Sequence, residues 1–315
     1  MVNARNKLFL EIEREPKRRP YGAYVDFFLN DDDIQFSFDG PAAVFASDDA
    51  IVQFDLTPDQ PLGPLQHLKS YRASIEGFTT ASEAESMGVK LSLALLWSAV
   101  TQDFGVRLDY HSALPCTVYD RTEWQWGPST RGHLSNHYPA TAGDLGELMR
   151  DVLTSTIEAD RQLVLSMELY AAARLEVSDR AKFLGLVSSL EPLAEQALLP
   201  LGVRGLIKTF RDQLGAIEIN ELPSEDAAKL KTSLNGRLKH LERESIRQAL
   251  LRVIRECFPG DGDSAKVIDA AYGLRSDMLH KGTTDPYLDR RTHAIEQIIR
   301  RLYAARIGKP LRIGS

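Results

Sequence analysis

Apolar and polar positions alternate over short stretches near the start of the chain. Tyr24–Leu29, Ile34–Phe38, Ala42–Ala46 and Ile51–Leu56 are separated by Asn30–Asp33, Asp39-Gly40-Pro41 and Ser47–Asp49, a pattern that predicts strands joined by turns. Pro58, Pro61, Gly63 and Pro64 mark a loop. Thr80 followed by Glu83 has capping-box spacing and opens a Leu- and Ala-rich helix over Ala81–Val100. Val106–Tyr110 and Thr117–Tyr119 read as further strands. Residues 120–143, with Trp124, Trp126, Gly127 and Pro128, read as a long irregular loop. Residues 1–145 are therefore expected to form an α+β domain.

From Asp144 onward the apolar period lengthens to that of a helix and strand signals disappear. The expected helices are Leu145–Glu176 (bent or broken within), Ser178–Leu198, Val203–Ala216, a long one over Ala227–Cys257, then Ser264–His280 and Pro286–Ile307. Ile246, Leu250, Val253 and Cys257 share one face of the long helix. Asp285 and Pro286 fit an N-cap and first-turn pair, and Gly308 fits the residue that ends a helix. Residues 146–315 are thus expected to be an all-α bundle, and the chain as a whole α+β.

Composition narrows the class. With 315 residues, 43% hydrophobic and 26% charged, the chain has ordinary globular usage, and its length suggests two domains at about 150 residues each. The most apolar run, Leu91–Val100, is interrupted by Ser92 and Ser98. It falls well short of the roughly 20 residues that span a bilayer. Met1–Arg19 is too charged for a secretory signal. The two cysteines, Cys116 and Cys257, offer no disulfide framework, so a cytoplasmic protein with reduced thiols is expected. Charge is uneven. Residues 1–180 hold 16 Lys and Arg against 27 Asp and Glu, whereas residues 181–315 hold 22 against 17. A basic second half suits an anionic partner such as RNA, and suits a solvated helical surface equally well.

Several kinds of chemistry lose their support. His133 and His137, with Cys116 upstream, raise a zinc site, but the loop's Gly132, Asn136 and Pro139 do not favour a helix presenting both histidines. Asp261, Gly262 and Asp263 resemble the start of a calcium loop, whose fifth and twelfth positions would fall on Ala265 and Tyr272. No phosphate-cradling glycine loop and no GxSxG nucleophile elbow occurs. No cofactor and no metal is expected.

The most informative segment is Tyr272 to Gly282. At 100° per residue, Val267, Ala271, Leu274 and Met278 form a core-facing sector. Ile268, Tyr272 and Leu279 form a second apolar sector, for which a two-fold partner is the expected cover and another helix of the same chain the alternative. Arg275 lies at the edge of the first sector. His280 lies about 140° further round. The spacing leaves two readings open. In one, Arg275 pairs with a carboxylate, Asp277 pairs with Lys281, and His280 merely ends the helix. In the other, Arg275 and His280 are a functional pair.

Arg275, four intervening residues and His280, with Gly282 close behind, resemble the motif of the HEPN superfamily. Phe183–Leu193, with its Leu190-Glu191 pair, is similar to that family's early helix. Arg237–Leu250 is similar to the helix before the motif in the Apea-like branch. Gly77–Glu85 is similar to segments found ahead of such domains. The resemblance covers about residues 150–307. It implies a metal-independent endoribonuclease, often of a toxin or antiphage defence system, with two copies sharing a site. An antitoxin or other protein partner is implied by such systems. On this resemblance Arg275 and His280 are catalytic, and Asp277 orients the imidazole or competes for Arg275. Ser276 stands where the family usually carries Asn, Asp or His. Many members bind without cutting, so a non-catalytic RNA-binding or protein-interaction module that dimerises is the alternative.

Overall fold

The architecture comes from a computed structural model that describes residues 19–30, 36–37, 42–46, 51–56, 68–109, 114–122, 135–136, 149, 152–153, 155, 160–283 and 285–311. Alternation sets its first element. In β1 (Tyr21–Asn30), Ala23, Val25, Phe27 and Leu29 all point to one buried face. On the other face, Asp26 accepts two hydrogen bonds from Arg72, at 2.6 and 2.7 Å. The Arg72 guanidinium also lies 3.8 Å over the Tyr24 ring.

β1 is the hub of an antiparallel sheet. β3 (Ala42–Ala46), β4 (Ile51–Leu56) and β5 (Leu68–Phe78) lie in order on one side of it. β6 (Val106–Asp109) pairs with Asp26–Leu29 on the other side, and β7 (Thr117–Asp120) with Tyr21–Tyr24. Separately, β2 (Phe36–Ser37) pairs with β8 (Ser135–Asn136). The long strand β5 was not expected from sequence. Its buried Tyr71, Ala73 and Ile75 alternate with Arg72, Ser74 and Glu76, a strand pattern that the sequence does carry.

Helix α1 (Ala81–Gln102) begins with the expected capping box. Thr80 Oγ1 accepts from the Glu83 amide at 3.2 Å, and the Glu83 carboxylate accepts from the Thr80 amide at 3.3 Å. Every residue from Leu91 to Thr101 is buried. A helix apolar all round must be covered all round. The sheet covers one side, and α2 (Arg161–Ala173) packs on another. The serines inside it are satisfied. Ser98 donates to the Ala94 carbonyl at 2.9 Å and Ser92 to the Pro115 carbonyl at 2.7 Å.

Further helical elements follow among the described residues. The expected helix Leu145–Glu176 is represented by helical residues at 149 and 152–153 and by α2, which Asp160 caps. α3 (Asp179–Ser189) stops before Leu198 because Pro192 cannot continue it, and a 3-10 turn follows at Glu191–Leu193. The last helix is regular from Leu288, two residues later than expected, although Asp285 Oδ1 accepts from the Tyr287 amide at 2.8 Å, the bond expected of it as a cap ahead of Pro286. That helix ends at Gly308, in the left-handed conformation expected of it.

Four helices remain between α3 and the last one: α4 (Leu201–Ala216), α5 (Ser224–His240), α6 (Ile246–Cys257) and α7 (Gly262–Lys281), so the last is α8 (Leu288–Ile307). The expected single helix Ala227–Cys257 is two helices. Ser245 and Gln248 form a capping box that starts α6 afresh. Residues 197–199 and 242–244 pair antiparallel beside the break, through Leu199 N–H to the Glu242 carbonyl and Glu244 N–H to the Ala197 carbonyl, both 2.9 Å. Those bonds occupy backbone groups a continuous helix would need.

The chain is an antiparallel sheet followed by a helical C-terminal part, an α+β arrangement. Contacts divide it into a unit of residues 1–189 with 284–315, and a unit of residues 190–283. This differs from the boundary expected at 145. α2 packs on α1, and α8 packs on α3, so those helices belong with the sheet. Within that first unit the Tyr303 hydroxyl and Ser166 Oγ lie 2.9 Å apart in the core. Glu296, nearly buried, is paired with Arg174 and with Lys182, the latter at 3.0 Å.

Gly88 sits where α1 crosses the sheet. A Cβ there would lie 2.7 Å from the Ala23 Cβ and 2.8 Å from Cys116 Sγ. Gly88→Val is expected to lower stability by about 1–3 kcal/mol through overpacking. Urea denaturation checks this, as a fall in midpoint with an unchanged slope.

Candidate functional site

Helix α7 carries the motif, and its ends are well specified. Asp261 caps its start, accepting from the Ser264 amide at 3.0 Å and from the Ser264 hydroxyl at 2.8 Å. Gly282, left-handed at φ 67°, ends it. The Asp261-Gly262-Asp263 segment is thus a helix start, with Asp263 paired to Lys266 at 2.9 Å.

The buried line of α7 runs through Ser264, Ala265, Ile268, Ala271 and Met278. Ala271 and Met278 lie in the expected sector, while Val267 and Leu274 of that sector are half-buried. The second apolar sector is split. Ile268 is 1% exposed and so already covered, Tyr272 is half-buried, and Leu279 is 54% exposed. One large apolar side chain of that sector therefore remains open.

Arg275 is half-buried and ion-paired. Its Nη1 lies 3.0 Å from Glu191 Oε1, and its guanidinium stands 5.7 Å from the centroid of the Tyr272 ring. Its Nε is enclosed without a hydrogen-bond partner. Asp277 pairs with Lys281 at 2.8 Å. His280 is exposed in the last turn, and no hydrogen bond or ion pair joins it to Arg275 or Asp277 among the described residues. These placements follow the first of the two open readings within one chain: the cation is satisfied by a carboxylate, and the histidine faces solvent. Glu191 is the residue that spacing could not supply. It lies in the Leu190-Glu191 pair, 84 positions before Arg275, and only the fold joins them.

The electrostatics around α7 are local. Arg247 of α6 donates to Asp269 at 2.7 Å and holds that exposed carboxyl below its usual range. Residues 190–283 carry 14 Lys and Arg and 14 Asp and Glu, so the basic excess of the second half of the sequence lies in the flanking segments, chiefly α8. Among the described residues no group of three or more His, Cys, Asp or Glu gathers to hold a metal ion. His133 and His137 lie outside the described residues, as do Trp124 and Trp126. Cys116 is buried, with its Sγ 3.8 Å from the Glu85 carbonyl. Burial, followed by the Glu85 charge, pushes its thiol up to about 11. No helix among the described residues is long and apolar enough to cross a membrane.

His280→Ala is expected to change stability by no more than about 0.5 kcal/mol, because the side chain is exposed. Arg275→Ala, which strands Glu191, is expected to cost about 1 kcal/mol. Thermal melts of the two variants beside the parent check the contrast. With its thiol so weakly ionised, Cys116 should resist iodoacetamide at pH 8 in the native state and react after denaturation. Peptide mapping of the alkylated protein reads the difference.

No family model, no curated protein and no solved structure matches the chain.

Proposed function

We propose that the chain is a metal-independent endoribonuclease whose site is built from Arg275 and His280 of two copies, acting in the cytoplasm in a toxin or antiphage defence role. The family resemblance of the Arg275–His280 segment supports the reading. The observation that carries it is the contrast along α7: a guanidinium held by Glu191 through Nη1, and an exposed histidine one and a half turns further on. RNA brings its own nucleophile. In the proposed reaction, His280 takes the proton of the ribose 2′-OH, whose oxygen attacks the adjacent phosphorus. The phosphorus–5′-oxygen bond then breaks as that oxygen takes up a proton from water, leaving a 2′,3′-cyclic phosphate. Arg275 binds a non-bridging phosphate oxygen and stabilises the charge that builds there. Within one helix His280 and Arg275 are turned about 140° apart. A two-fold partner presenting its own α7 removes that obstacle, and exposed Leu279 is the apolar contact available to it.

A second reading has its own support. Arg275–Glu191 and Asp277–Lys281 consume the charged groups beside the motif, which suits a module that binds RNA or protein without cutting.

Incubating total RNA with the protein in EDTA separates the two. The enzyme reading expects fragments ending in 2′,3′-cyclic phosphate, absent with His280→Ala. Retarded but intact RNA supports the binding module, and cleavage only with added Mg²⁺ or Mn²⁺ rules out the mechanism above. Sedimentation at micromolar concentration should show a dimer, and a monomer would defeat the shared site.

A further inference from the structure

The hairpin of α4 and α5 carries a feature that the motif does not use. Arg204, Lys208 and Arg211 are spaced four and three residues apart along α4, so they form one stripe. They line an open groove of about 450 Å³, a volume within the usual range of small-ligand sites. Gly205, also in the groove wall, leaves the backbone accessible, with nothing within 4 Å of its Cβ position.

The three cations are not equivalent. Arg211 is spoken for. It donates from Nε to Asn235 at 2.6 Å and pairs through Nη1 with Glu242 at 2.9 Å, which fixes it as a wall of the groove. Arg204 and Lys208 have no carboxylate partner among the described residues, although Asp212 lies one turn beyond Lys208. Arg204 Nε is enclosed and makes no hydrogen bond. Two like charges four residues apart repel, which weakens the free helix and favours an anion between them. The start of α4 adds to this. Pro200 precedes it with no side-chain cap, so the first-turn amides at the Leu201 end of the groove lack a side-chain acceptor.

We propose that this groove is a phosphate-binding site, in which Arg204 and Lys208 grip one phosphate group of an anionic ligand beside the fixed Arg211. The phosphate belongs either to the backbone of an RNA strand or to a free nucleotide, and the chemistry of the grip is the same. The site is distinct from Arg275 and His280, and it stands whether or not the chain cuts RNA.

The test uses the full chain with two probes at low salt: a short fluorescein-labelled single-stranded RNA followed by anisotropy, and ADP followed by calorimetry. Arg204→Gln/Lys208→Gln should weaken at least one probe about tenfold, and inorganic phosphate should compete for it. If that probe is the RNA, losing the grip on one phosphate should also flatten the log–log salt dependence by about 0.7. Loss confined to the RNA identifies a strand as the ligand, and loss confined to ADP identifies a nucleotide. Lys266→Gln, outside the groove, should leave both affinities unchanged. Circular dichroism verifies that each variant folds, and Lys208→Gln alone carries the test if the double variant melts early. The proposal fails if neither probe binds, if the double variant binds both as the parent does, or if Lys266→Gln costs as much.

Discussion

The first unit depends on one demand: α1 presents side chains for burial on every side from Leu91 to Thr101. Such a helix cannot rest on a sheet alone, because the side turned away from the strands would expose Leu and Trp to water. The sheet therefore supplies β1 and β5 beneath it, and α2 packs on it as well. Close approach is set at Gly88, where the absent Cβ lets α1 settle against Ala23 and Cys116. Ser92 and Ser98, buried in this helix, donate their hydroxyls to nearby carbonyls, so their burial leaves neither donor unpaired. α3 and α8 complete the unit, and Ser166 with Tyr303 provides the polar contact inside it.

What the sequence made legible was mostly local. Thr80 and Glu83 announce a helix start through neighbours three residues apart, and Gly308 announces a helix end through its own backbone freedom. Tertiary facts were illegible for definite reasons. β5 is the exception, since Tyr71, Ala73 and Ile75 alternate with Arg72, Ser74 and Glu76 and the strand pattern stands in the sequence itself. The break between α5 and α6 is hidden because Leu234, Leu238 and Leu241 keep helical spacing up to it, while the strand-like pairing with residues 197–199 that interrupts it comes from elsewhere in the chain. The division at residue 145 followed the change from strand to helix texture, whereas burial groups α2, α3 and α8 with the sheet.

The motif shows the same split between local and distant information. Its place on a helix, the cap at Asp261 and the stop at Gly282 follow from neighbouring residues. The Asp277–Lys281 pair was also among the expected alternatives, since the two are one turn apart. The partner of Arg275 was not, because Glu191 is brought to it by the packing of α6 against α7 and the 3-10 turn. That pair gives Arg275 a fixed position and at the same time shields part of its charge. Within one chain the motif is a braced cation and a free imidazole. The proposed chemistry therefore depends on a second copy.

Complementation between inactive variants tests that dependence directly. Arg275→Ala and His280→Ala proteins, each unable to cleave alone, would be mixed, allowed to exchange subunits and assayed on RNA in EDTA. A shared site predicts that the mixture regains part of the parent's cleavage, because a mixed dimer holds one intact Arg275 and one intact His280. A mixture that stays inactive while the parent cuts, or a parent that never cuts, contradicts the account.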